Sequence, residues 1–136
     1  MKHPGSVWAV LAASLAVLMA APAGAHHSAA QFDFSTPVTL TGKVKRIRMA
    51  NPHMRLVLEI TDDKRGTRDV EFEGHSLNNF YRSGWRPDMI KVGDRIELRV
   101  APRRDGEDGG YVTGVKTADG QEFGTGTTQR DAESGR

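Results

Sequence analysis

The sequence predicts a mainly β domain: a small five-stranded OB-like Greek-key barrel with one short helix between strands 3 and 4. Three observations carry this expectation. Five segments alternate apolar and polar residues with the period of a half-buried strand. One stretch of helical spacing interrupts them after the third. The first segment changes its apolar phase half-way, as a strand that bends to serve both sides of such a barrel must do. A small β-sandwich of other connectivity is the structural alternative.

Val38, Leu40, Gly42 and Val44 alternate with Thr39, Thr41 and Lys43, and the apolar phase then slips to Ile47 and Met49. A bulge or sharp bend is therefore expected near Lys45-Arg46. Asn51-Pro52 is a turn pair, because proline holds the preceding residue extended. Met54, Leu56, Leu58 and Ile60 form the second strand, and Thr61 to Thr67 a hairpin connection. Val70 and Phe72 lie on the third strand. Ser76 is a candidate helix cap, with Leu77, Phe80 and Tyr81 at helical spacing, Gly84 as the stop and Trp85 packing the helix end. Ile96, Leu98 and Val100 mark the fourth strand and Tyr111 to Thr117 the fifth. Gln121 to Phe123 can add a short sixth.

Upstream, residues 1–25 read as a cleavable secretory signal. Lys2 precedes an uncharged run rich in Ala, Leu and Val, and Ala23-Gly24-Ala25 offers the small residues that signal peptidase accepts. The expected organisation is this signal, an N-terminal arm over residues 26–37, a barrel over residues 38–123 and a disordered tail over residues 124–136. Phe32 and Phe34 are the aromatic anchors of the arm, which is expected to be extended. A periplasmic or secreted protein follows, with no stable membrane insertion after cleavage, because no later segment is long and apolar enough to span a bilayer.

Composition narrows the function. The chain has 19 Lys+Arg against 17 Asp+Glu, a formal net charge of +2. That small excess argues against nucleic acid as a partner. There is no cysteine, so neither a disulfide nor a cysteine nucleophile is available. No G-x-S-x-G motif and no phosphate-cradling glycine loop occurs. Asp62-Asp63 and the run Asp105 to Asp108 lack the regular ligand spacing of a calcium loop. The chain is therefore expected not to be an enzyme.

The histidines carry the one chemical signal. Cleavage after Ala25 would give His26 a free α-amine beside its own imidazole, and two such nitrogens can chelate one metal. His27 adds a third nitrogen. Imidazole and amine suit copper(II), nickel(II) and zinc(II), with copper highest in the divalent series. His53, after the Asn51-Pro52 turn, is the candidate distant ligand. Asp33, Met54 and His75 are possible additions. The common copper and nickel motif with histidine third is absent, because Ser28 stands there. The plain alternative is that these histidines only begin a polar arm, end a turn and precede a helix. Arg46, Arg48, Arg55, Arg82, Arg86, Arg103 and Arg104 could line a groove for an anion, but Glu59, Glu71, Glu73 and Glu97 interleave with them. Solvated charge pairing is the expected outcome.

Several short stretches together resemble a group of small exported bacterial proteins known only as a domain of unknown function. These are His26-His27-Ser28, Phe32-Asp33, Leu40-Thr41-Gly42-Lys43-Val44, Asn51-Pro52-His53, Gly84-Trp85, Val92-Gly93-Asp94 and Pro102-Arg103-Arg104-Asp105-Gly106. The resemblance covers most of residues 26–123. It implies export and these domain limits, brings no activity, and suggests that the His-His start and the Asn-Pro-His turn belong to one design. A looser, purely chemical likeness is to periplasmic copper carriers whose mature chain begins with histidine. The resulting expectation is a periplasmic, non-catalytic copper carrier or delivery protein, exchanging metal with a donor or acceptor protein. The rival is a metal-free module that binds a partner protein, glycan or anionic ligand.

Overall fold

The phase slip in the first strand becomes a β-bulge. In the computed structural model, which describes residues 27–124 with side chains from Ala29 onward, β1 runs Val38–Arg48. Lys43 and Val44 pair with Glu59 and Leu58, but Arg46 pairs with Val57, so Lys45 is the extra residue. The expected signal, His26 and the tail from residue 125 lie outside the described residues.

The bulge lets one strand serve two neighbours. The first half of β1, Val38 to Lys43, pairs antiparallel with β4 (Arg95–Pro102). Its second half pairs antiparallel with β2 (Met54–Asp62). At the crossing between them stands Gly42, where a Cβ would lie 2.8 Å from the Glu59 carbonyl oxygen. Only glycine fits so close an approach. β3 (Gly66–Gly74) pairs antiparallel with β2, and β5 (Gly110–Lys116) with β4. A three-residue parallel pairing of β3 with β5, Phe72↔Gly110 to Gly74↔Val112, closes the ring. The result is a closed five-stranded mixed β-barrel with one short helix between strands 3 and 4, the OB-like fold. A two-residue β6 (Glu122–Phe123) extends β5.

The inward alternation fills this barrel. Val44, Leu56, Leu58, Phe72, Ile96, Leu98, Val100 and Val112 are fully buried in one cluster. Each such side chain contributes about 1.5–3 kcal/mol by leaving water. The short helix between β3 and β4 caps one end. Ser76 is its N-cap, its Oγ accepting from the Asn79 N–H at 3.3 Å. Phe80 enters the core and meets Phe123 edge-on, with Trp85 buried beside them. Tyr81 departs from the sequence expectation: it is 50% exposed, with the Arg86 guanidinium 4.2 Å above its ring. A six-residue helix presents one narrow stripe inward, and Phe80 takes it.

The arm departs as well. It opens with one helical turn, α1 (His27–Ala30), where an extended arm was expected; the capping helix Leu77–Arg82 is α2. Ala29 packs flat against the barrel beside Ala101, and two such small side chains allow the turn to sit close.

Candidate functional site

A second buried cluster lies on the outside of the barrel wall. On β5, Val112 points inward, so Tyr111 points outward; on β4, Val100 points inward and Ala101 outward. Tyr111 pairs across the barrel seam with Glu73 and across the ladder with Ala101. An outward tyrosine would ordinarily be wet. Here its exposure is 0%, because the arm covers it. Phe32 and Phe34 approach its ring at 5.6 and 5.4 Å between centroids, and His75 meets it edge-on at 5.6 Å. Backbone bonds hold the arm down: Asp33 N–H donates to the Pro102 carbonyl at 2.8 Å, and Arg104 N–H to that of Gln31 at 2.9 Å.

The covered face is not apolar throughout. Glu73 is 9% exposed, and its Oε2 pairs with Arg55 at 3.2 Å. Its Oε1 and the Tyr111 hydroxyl are both buried with no hydrogen-bond partner among the described residues. Burial, and then the Glu73 charge, push the Tyr111 pKa well above its ordinary value. Beside them a cleft of about 410 Å³ opens between the arm and the β4–β5 loop, with Arg55, Glu71, Glu73 and Arg103 on its walls.

Two of the sequence-predicted histidines border this face. The last β2–β3 rung is Met54↔Gly74, and one residue beyond it on each strand stand His53 and His75. The His53 Nδ1–H donates to the Gly74 carbonyl at 3.1 Å, and the Met54 N–H to the His75 carbonyl at 3.0 Å. His75 is 7% exposed, and its Nδ1 accepts from the Asn79 amide at 3.0 Å. Asn51-Pro52, ahead of His53, is a cis peptide.

The other candidates are placed differently. Met54 is buried in the core cluster, its thioether beside Gly74, so it faces away from the histidines' side of the wall. Asp33 accepts from the Ser35 N–H and hydroxyl and from the Thr36 hydroxyl, which hold its pKa down at about 2 and tie it into the turn after Phe32. His26 and the His27 side chain lie outside the described residues. Among the described residues, no group of three or more His, Asp or Glu is placed to hold a metal ion.

Three of the seven named arginines lie in charge pairs, while no ion pair of Arg46, Arg48, Arg82 or Arg86 occurs among the described residues and Arg86 sits over the Tyr81 ring instead. Arg55 pairs with Glu71 and Glu73, Arg103 with Asp105, and Arg104 with Asp33. Arg68 bridges Asp62 and Asp108. No helix among the described residues is long and apolar enough to cross a membrane.

A family model, described as a family of unknown function (DUF6152), matches residues 13–113. The chain belongs to this family. The DUF6152 match takes in the arm, His53, Glu73, His75 and Tyr111, and it begins inside the apolar run before Ala25. No curated protein matches the chain. Among solved structures, a ZRD-deleted mutant of TiaS in complex with agmatine aligns with a TM-score of 0.41 at 16% identity, over 66% of this chain and 24% of that one. This chain thus spans about a quarter of that chain's length.

Glu73 and Tyr111 were not legible as site residues. Their alternation marks them as outward, and only the paired aromatics Phe32 and Phe34 hinted that something covers an outward face.

Proposed function

We propose that this DUF6152 member is a periplasmic, non-catalytic metal carrier, with copper as the metal, that binds through the mature N-terminal histidine. His26 supplies the amine and imidazole, His27 a further nitrogen, and His53 the ligand from the barrel. A metal donor or acceptor protein would be its partner. The observation that carries the reading is the course of the arm. Ala29 and Phe32 pack on Tyr111, whose ring touches His75, one rung step from His53. Chain connectivity keeps His26 within about 11 Å of Ala29. This short tether supports a reading in which a terminal chelate and the barrel histidines share one metal. Their neutral nitrogen chemistry favours copper(II) among the common divalent ions.

Calorimetric titration with copper(II) of protein beginning at His26 should give one tight site at neutral pH. Acetylation of the His26 α-amine should weaken it more than about tenfold, because the amine then no longer chelates with that imidazole. Equal binding by both proteins, or binding by neither, would sink the reading.

The metal-free alternative draws on the 410 Å³ cleft with Arg55 and Arg103. Both arginines already face carboxylates, so an anion would have to displace an existing pair. Ligand binding that weakens steeply with salt and ignores chelators would favour it.

A further inference from the structure

We propose that the outer face of β1 docks on an anionic lipid surface, with Val92 as a shallow apolar anchor beside it. The second half of β1 carries four exposed cations in six residues: Lys43, Lys45, Arg46 and Arg48. The bulge gathers them. Strict alternation would put Lys43 and Lys45 on the outer face but Arg46 and Arg48 on the inner one with Val44. With Lys45 as the extra residue, Lys43, Arg46 and Arg48 all stand outward, while Val44 and Ile47 face the core.

The ladder then sets like charges side by side. Lys43 lies directly opposite Arg95 on β4, and Arg48 directly opposite Arg55 on β2. Such cross-strand pairs repel. Carboxylates relieve this only in part. Glu59 takes Lys45, and Glu71 and Glu73 take Arg55. Glu97, the acidic neighbour on β4, lies opposite Thr41 and Lys116. Among the described residues, Lys43, Arg46, Arg48 and Arg95 have no ion pair. A bound polyanion supplies the missing counter-charge.

The class of polyanion follows from the turn that leads into β4. The Asp94 N–H donates to the Lys91 carbonyl at 3.1 Å, and the Lys91 N–H to the Asp94 carboxylate at 2.8 Å. This closed turn is tied to the bulged strand. The Gly93 N–H donates to the Val44 carbonyl, and the Val44 N–H to that of Asp94, both at 2.8 Å. At its head Val92 is 67% exposed, the most exposed large apolar side chain among the described residues. Lys91 beside it is exposed as well. An apolar tip next to a row of cations matches a lipid surface, where cations meet headgroups and the valine reaches the acyl boundary. The same tip gives nothing to a soluble polyanion. An oligonucleotide would also call for exposed aromatic rings to stack on. The one exposed aromatic ring among the described residues, Tyr81, lies on α2 beneath Arg86.

The inference does not rest on the metal reading, and its test is run with chelator present. The exported protein is sedimented at low salt with vesicles of phosphatidylglycerol and phosphatidylcholine in equal parts, and with phosphatidylcholine alone. It should bind the first and not the second, and salt at about 0.5 M should release it. R46Q/R48Q should weaken binding about thirtyfold. V92S should weaken it about fivefold. K64Q/R82Q removes the same charge from the β2–β3 turn and from α2, and should leave binding within about twofold. All five positions are exposed, so these variants keep the fold.

Binding to neither vesicle, equal binding to both, or equal losses from the two double variants overturns the inference and leaves the terminal-histidine reading intact. So does a V92S protein that binds vesicles like its parent, which would assign the cations to a soluble polyanion.

Discussion

The inside of the barrel and the outer wall beneath the arm are equally dry, yet they are built on different rules. The interior is a continuous apolar cluster to which every strand contributes. The outer wall is buried only because residues 29–34 lie on it, and it keeps an ion pair, two histidines at its border, an unpartnered carboxylate oxygen and an unpartnered phenol. Buried polar atoms without partners each cost about 1–3 kcal/mol. The outer face carries two of the three such atoms among the described residues, the third being Trp85 Nε1 at the helix-capped end of the interior. The contrast separates the part of the chain that makes the fold from the part that can be spared for chemistry.

The sharpest way to break the comparison is to empty each region in turn. Phe72→Ala, inside, should cost about 3–5 kcal/mol and lower the melting temperature of the whole domain. Phe32→Ala, outside, should cost about 2 kcal/mol and leave the barrel folded. Limited proteolysis should then cut the arm while residues 38–123 survive. If Phe32→Ala unfolds the barrel cooperatively in denaturant, the two regions are one unit and the distinction fails.

A smaller effect concerns one of the two such atoms on the outer face. Tyr111→Phe removes a buried hydroxyl that has no partner among the described residues, so stability should hold or rise by up to about 1 kcal/mol. A loss greater than that in urea unfolding would mean that the hydroxyl is bonded in solution.

The mildest test is acid. Hydroxyls and an amide of Ser35 and Thr36 hold the Asp33 pKa at about 2, below its ordinary 3.8. A depressed carboxylate stabilises the fold fully above its unfolded pKa and loses that contribution as pH falls through the folded one. The arm's anchoring turn should therefore be intact above about pH 4 and weaken between there and pH 2. Asp33→Asn should flatten that part of the profile, followed by fluorescence or by proteolysis of the arm. An unchanged acid profile in Asp33→Asn would show that the turn does not depend on this charge.

These regions also differ in how far the sequence reveals them. The barrel is legible because period-two alternation reports which face is wet, and the slip between Val44 and Ile47 exposes the bulge at Lys45. The helix was legible from Ser76 and Phe80, while Tyr81 shared the spacing without sharing the burial. The outer site was only half legible. His53 stood out through Asn51-Pro52, and His75 through its residue type. Glu73 and Tyr111 were hidden, since alternation within a strand says nothing about a distant segment laid over its outer face. Met54 was a chemical possibility until its inward phase on β2 put it in the core.

The arm's contacts also set an order of events. The Arg104 Nε–H donates to the Ala30 carbonyl across 74 residues of chain, and Phe32 bridges to Arg103. During synthesis the arm emerges first, but its resting place exists only once β4 and β5 have been made and the seam between β3 and β5 has closed. The first described residues of the protein are thus among the last to find their partners. Whatever the arm adds to the wall is therefore assembled only on a finished barrel, and an incomplete or misfolded chain would lack it.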